Sequence, residues 1–220
     1  MALAGRYDAA GVEAEFEPGS RQRVLRNLLG IRSVREMEQA ESDALLVVQE
    51  GMVDRFTRDH RFTSDDIREL HRSWLGGIYS WAGEYRSVNI AKGDFYFAAA
   101  MQVPRLMQEL ERKQLSSCTP CRTSDSEEFA MALAVVHAEL VLIHPFRDGN
   151  GRCARLLTVL MALQAGFPPL DFGGLKGRSK RLYIEAVHAA LATDYEPMRK
   201  IFSGVVRRTL RSYGKREPTP

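Results

Sequence analysis

Between residues 144 and 155 the chain reads His144-Pro145-Phe146-Arg147-Asp148-Gly149-Asn150-Gly151-Arg152-Cys153-Ala154-Arg155. A proton acceptor, a carboxylate, a pair of glycines and the guanidinium groups of Arg152 and Arg155 are gathered in this one run. It falls where one apolar helical pattern stops and another starts. A helix N-terminus preceded by glycines offers free backbone N–H groups to an anion. A carboxylate beside such a nest repels phosphate unless a cation lies between them, so Asp148 calls for Mg²⁺ as well as phosphate. Arg152 and Arg155 stand three apart in the first turn of the second helix, hence on one face, where forked hydrogen bonds can hold outer phosphates. Near neutrality an imidazole of ordinary pKa, about 6.5, can accept a proton from an alcohol. The set reads as a nucleotide–metal site with His144 at its mouth.

Position for position, the run resembles the motif of the Fic (Fic/Doc) family, His-x-Phe-x-Asp/Glu-Gly-Asn-Gly-Arg-x-x-Arg. The likeness extends upstream to Pro18-Gly19, to Leu25-Arg26-Asn27-Leu28-Leu29-Gly30-Ile31 and to Ile78-Tyr79-Ser80-Trp81-Ala82-Gly83-Glu84-Tyr85-Arg86. It continues through Val88-Asn89-Ile90-Ala91-Lys92-Gly93. The resemblance implies a mostly α fold, a helical bundle around a central motif helix with a β-hairpin flap. It further implies an N-terminal arm over residues 1–20, a Fic domain over 21–212 and a flexible tail over 213–220.

The resemblance also implies roles. His144 would deprotonate a Ser, Thr or Tyr hydroxyl of a target protein, and Asp148 would hold Mg²⁺. Gly149, Asn150 and Gly151 would cradle the α- and β-phosphates of ATP through backbone N–H groups and the Asn amide. Arg152 would meet the inner phosphates and Arg155 the γ-phosphate. Lys92 and Gly93, on the flap, become neighbours of the nucleotide, and Phe95 a contact for target or adenine. Phe146 reads as an anchor for the loop.

Two transfers are then open, of AMP or of a phosphate. Doc-like motifs carry lysine where this chain has Gly151, and the smaller residue favours AMP transfer. The expected activity is a protein adenylyltransferase. The alternatives are a Doc-like phosphotransferase and a nucleotide-binding module without catalysis. Fic enzymes are commonly restrained by a glutamate in a Ser/Thr-x-x-x-Glu-Gly/Asn pattern. Glu50-Gly51 has the right ending but Leu46 takes the hydroxyl position, and Ser80-x-x-x-Glu84 is followed by Tyr85. The resemblance then implies a small antitoxin-like partner that supplies the glutamate, as in a toxin–antitoxin pair.

The elements that must position these groups are mostly helical. Ser33-x-x-Glu36 is a capping-box sequence opening a helix to about Phe56. Thr63 with Asp65 and Asp66 starts another, with Ile67, Leu70 and Trp74 at helical spacing. Ser87 to Phe97 alternates around Lys92-Gly93-Asp94 and predicts a hairpin. A helix follows over residues 101–115, with Pro104 tolerated in its first turn. Ser124-x-x-Glu127 caps a helix whose stripe is Phe129, Leu133, Val136, Leu140 and Ile143. The helix after the motif is apolar almost all round, as a buried central helix should be. Residues 179–191 and 196–212 supply two more.

Competing readings of the motifs fail on context. Gly149-x-Gly151-x-x-Ala154, with Asp171 beyond, brushes the dinucleotide fingerprint, which requires a preceding buried strand. A calcium loop requires a glycine and a glutamate that are missing here. Cys118-Thr119-Pro120-Cys121 lacks the second pair that zinc needs, and reads as loop. His137, two turns before His144, reads as a packing residue.

With 220 residues, 45% of them hydrophobic, the chain suits one domain with a real core. A net charge of +3 with dispersed basic residues predicts no direct nucleic-acid partner. No apolar stretch is long enough for a membrane span, and no secretory leader is visible. Three cysteines suit a reducing cytoplasm, with export by a specialised secretion system still compatible.

Overall fold

The computed structural model describes residues 8–9, 15–123, 125–174 and 178–214. Helices form where a cap and an apolar stripe coincide. Thr63 and Asp66 make a reciprocal capping box that opens α2 (Ser64–Leu75), in which Ile67, Leu70 and Trp74 are buried. Ser33 precedes α1 (Val34–Arg55), its hydroxyl 3.5 Å from the Glu36 amide. The cap of α5 (Ser126–Ile143) is Asp125, whose Oδ1 accepts from the Glu127 and Glu128 N–H groups at 2.9 and 2.8 Å. The expected cap at Ser124 lies outside the described residues. The stripe of α5 is as foreseen: Phe129, Leu133, Val136, Leu140 and Ile143 are all buried.

The chain divides into two compact units interleaved in sequence. The first comprises Met1–Met52, Thr63–Gln108 and Ile143–Cys153. It holds most of α1, α2, the strands, most of α3 (Val103–Leu110), the motif loop and the first turn of α6 (Asn150–Gln164). Its core gathers Val24, Met37, Trp74, Leu75, Ile78 and Tyr79. Leu28 donates its N–H to Ile78 O at 2.8 Å, and Asn27 brackets its own turn through Leu25 O and Ile31 O.

The hairpin is present, and shorter than the alternation suggested. Strand β2 (Ile90–Lys92) pairs antiparallel with β3 (Phe95–Tyr96) in the register Ala91↔Tyr96 and Lys92↔Phe95. Gly93, at φ 59°, makes the two-residue turn, a conformation that hairpins reserve for Gly, Asn or Asp. A third strand, β1 (Asp8–Ala9), pairs with β2 on its other side. The order β1-β2-β3 leaves β3 as an edge.

The second unit comprises Val53–Phe62, Glu109–Leu142 and Ala154–Pro220. It contains α4 (Ser116–Cys118), most of α5, the remainder of α6, α7 (Arg178–Ala189) and α8 (Glu196–Gly214). Leu156, Leu157, Leu160 and Met161 of α6 are buried. Phe129 stacks on Phe167 with centroids 4.3 Å apart. Cys118, Cys121 and Cys153 are free thiols; Cys118, expected in a loop, closes α4, and the loop runs from Thr119. Among the described residues no helix is long and apolar enough to cross a membrane.

Candidate active site

Helix α5 ends at Ile143, and the next residue, His144, takes a left-handed backbone with φ 52°. That position normally goes to Gly or Asn, and a residue with a Cβ holds it at a cost of roughly 1–2 kcal/mol. Pro145 then prevents the helix from continuing. The strain is held by a buried cation. Arg86, 3% exposed, donates from Nε to His144 O at 2.7 Å and from Nη2 to Ile143 O at 3.3 Å, so it satisfies the end of α5. The same guanidinium donates to Val88 O at 2.7 Å and Ala98 O at 2.5 Å, the two ends of the flap, while the Arg86 N–H meets Pro145 O. One residue thus ties the motif loop to the flap.

His144 is 3% exposed, and its ring lies under Phe97, stacked at 3.7 Å and 25°. Phe95, expected to face target or adenine, sits edge-on to Phe97 at 5.1 Å. Lys92 and Gly93 head the exposed tip of the hairpin.

Phe146 anchors the loop as expected. It is fully buried and stacks on His71 at 3.8 Å. His71 accepts the Gly83 N–H at Nδ1, 2.9 Å, so its proton sits on Nε2 and is donated to Asp148 O at 3.0 Å. Burial pushes the His71 pKa down to about 4, keeping the ring neutral in that bridge. The Asn150 side chain is engaged within the loop. It is buried and closed on Phe146, Nδ2 to the carbonyl and Oδ1 from the N–H, both at 2.8 Å. The Asn amide therefore braces the loop, and an anion at this turn would meet backbone groups.

Those groups open α6. Gly149 stands at φ 80°, and a Cβ there would come within 2.8 Å of Trp74 Cζ3. Its N–H turns to Asp148 Oδ1 at 2.6 Å, while its carbonyl accepts from Arg152 and Cys153. The Asn150 and Gly151 N–H groups head the helix with no carbonyl a turn behind them within it. Arg152 lies over the Trp74 ring at 4.5 Å, bonds Glu41 through Nη1 at 2.6 Å, and keeps Nη2 4.0 Å from Asp148 Oδ1. The Nη2 atom is buried and has no hydrogen-bond partner among the described residues.

Arg155, three residues on along α6, falls in the second unit and is described there. In that unit His137 bonds Tyr183 Oη at 2.8 Å through Nε2. Burial, aided by the Arg155 charge, lowers the His137 pKa to about 3. His137 is thus a buried packing residue, as expected.

Among the described residues no group of three or more His, Cys, Asp or Glu could hold a metal alone. A single carboxylate completed by substrate phosphates and water is the usual arrangement for Mg²⁺ and not for zinc or calcium, so Asp148 fits magnesium delivered with a nucleotide. Sequence reasoning missed Arg86, Glu41, His71 and Phe97. Only the likeness of the run ending Tyr85-Arg86 pointed toward the first.

Comparison with known proteins agrees with this geometry. The family model described as Fic/DOC family matches residues 61–162. The protein adenylyltransferase VbhT of Bartonella schoenbuchensis is 29% identical over 194 residues, 86% of this chain and 38% of its own length. The protein adenylyltransferase Fic of Nematostella vectensis is 33% identical over 160 residues, 71% of this chain and 35% of its own length. The chain thus spans well under half of these relatives. The crystal structure of the BepC protein of Bartonella tribocorum with bound AMPPNP, 22% identical, covers 82% of this chain and 91% of that one with TM-score 0.65. The likeness establishes the fold, a Fic fold, mostly helical around the motif helix α6. The chain belongs to the Fic/DOC family.

Proposed function

We propose that the chain is a protein adenylyltransferase that moves AMP from ATP to a Ser, Thr or Tyr hydroxyl of a target protein. The observation that carries this reading is the single turn joining α5 to α6. It has the His144 imidazole at one end, and at the other the Gly151 N–H and Arg152 Nη2, which makes no hydrogen bond among the described residues. Relatives named protein adenylyltransferase across most of this chain support it.

In this reading the target alcohol loses its proton to His144 as its oxygen bonds the α-phosphorus. The bond from that phosphorus to the bridging oxygen breaks, and pyrophosphate leaves. The Asn150 and Gly151 N–H groups and Arg152 hold the inner phosphates, and Arg155 the γ-phosphate. Lys92 and Gly93 of the flap border the nucleotide, and the free edge of β3 aligns the target segment by strand addition. Asp148 would hold the magnesium ion, whose contribution is to neutralise charge on the transferring phosphates. Positioning and electrostatics suffice for such a transfer.

Glu50, this chain's own near match, is exposed on α1, which favours an inhibitory glutamate supplied by a separate small antitoxin-like protein. A large gain in activity from Glu50→Gly alone would overturn that part.

The test is to incubate the chain with cell lysate, magnesium and ATP labelled at the α- or the γ-phosphate. Protein label from α only is expected. Label from γ only means phosphate transfer, and ATP binding without label means a binding module.

A further inference from the structure

Glu41 belongs to no motif, yet it is a carboxylate buried beside the transfer site, its side chain 6% exposed. Its Oε2 accepts from Arg152 Nη1 at 2.6 Å, and its Oε1 accepts from Tyr79 Oη at 2.7 Å. Its backbone carbonyl accepts from Trp74 Nε1 at 2.8 Å. Trp74 closes the circuit, because the Arg152 guanidinium lies over its ring. Burial and the Glu41 carboxylate push the Tyr79 pKa upward, so the phenol stays a donor. A carboxylate is buried only where such partners replace water.

Arginine is long and flexible, and a free one would sweep many positions. Here one face of the guanidinium is covered by Trp74 and one nitrogen is tied to Glu41. The other nitrogen, Nη2, is buried, makes no hydrogen bond among the described residues and lies 4.0 Å from Asp148 Oδ1. A donor fixed before the anion arrives needs no reorganisation when charge shifts during transfer.

We propose that Glu41 is a positioning residue of the transfer site, holding Arg152 through Nη1 so that Nη2 is presented to the phosphates. The proposal rests on the adenylyltransferase reading. Glu41 differs from a releasable brake in two ways. A brake must swing away, whereas Glu41 is locked through both carboxylate oxygens and its backbone on a helix of 22 residues. A brake also covers the arginine edge that meets phosphate, whereas this pair engages Nη1 and leaves Nη2 without a hydrogen bond.

The experiment compares wild type, Glu41→Gln, Arg152→Ala and the double variant. It measures transfer of the α-phosphate label, ATP affinity by calorimetry, and melting temperature. Glu41→Gln is expected to slow transfer about 10- to 100-fold while melting within a few degrees of wild type. In the Arg152→Ala background the same change should cost nothing more, because Glu41 acts through Arg152. Tyr79→Phe, which removes one hydroxyl, should give a smaller loss and serves if Glu41→Gln does not fold. An unchanged or faster rate in Glu41→Gln overturns the proposal, as does an equal loss in both backgrounds. If wild type transfers no α label, the functional reading fails separately. Positioning is then judged on ATP affinity, weakened by Glu41→Gln only where Arg152 is present.

Discussion

The Arg86 guanidinium donates to the backbone carbonyl of His144 at 2.7 Å, across 58 residues of sequence. It holds the proposed base by its backbone, not its ring, and so sets the left-handed conformation from which the imidazole projects.

Arg86→Ala removes that tie and leaves four carbonyls, those of Val88, Ala98, Ile143 and His144, without their donor. Unsatisfied buried carbonyls predict a loss of about 3 kcal/mol or more. Arg86→Lys keeps the charge but cannot reach all four in the plane of a fork. It should fold with a lowered melting temperature and transfer about 100-fold more slowly, with KM for ATP little changed. A Lys variant with wild-type kcat would show that the fork does not place His144.

Gly149 and Gly151 predict opposite phenotypes. A Cβ at Gly149 would meet Trp74 at 2.8 Å, and His71 and Leu75 each at 3.2 Å, from a backbone at φ 80°. Gly149→Ala should therefore lose about 2–4 kcal/mol of stability, from overpacking and left-handed strain together. A Cβ at Gly151 meets nothing within 4 Å, and alanine favours helix. Gly151→Ala should keep or raise the melting temperature while weakening ATP, since the methyl enters the space of the proposed cradle. Thermal melts paired with ATP titrations separate the two. Equal ATP affinity in Gly151→Ala and wild type would remove Gly151 from the cradle.

What was legible in the sequence was whatever a local rule dictates. The α5 stripe needed only a period of 3.6, and the hairpin only alternation about Gly93. The site was legible as far as it is contiguous, from His144 to Arg155. Arg86, Glu41 and His71 were not, because each earns its role from a partner far along the chain: Glu41 and Arg152 are 111 residues apart. Asn150 was legible only in part, for a related reason. A buried amide bracing a loop and an amide binding phosphate carry the same letter, and only the closure on Phe146 tells them apart. Strand β1, two residues long, has no periodicity to read.

The Phe97 ring covers that of His144, so the flap controls access to the proposed base. Phe97→Ala should make His144 more reactive toward an imidazole-acylating reagent, by several-fold in rate, with the fold retained. Mass mapping of the acylated histidines checks this. Equal labelling of His144 in both proteins would mean that the stack does not shield it.

Acid should unfold the protein through histidines that the fold keeps neutral. Burial lowers the pKa of His71 to about 4 and of His137 to about 3. In the unfolded chain both titrate near 6.5. Above that pH neither state is protonated and the full stability is present. As pH falls from 6.5 toward 4 the unfolded chain takes up protons that the folded chain refuses, so stability falls with pH. For His71 the loss is on the order of 3 kcal/mol by pH 4. The decline should appear as a falling urea midpoint between pH 7 and 4.5. His71→Asn, which cannot titrate, should start less stable but fall less steeply over the same window. A wild-type midpoint that is flat from pH 7 to 4.5 would mean that the two imidazoles are not held neutral by the fold.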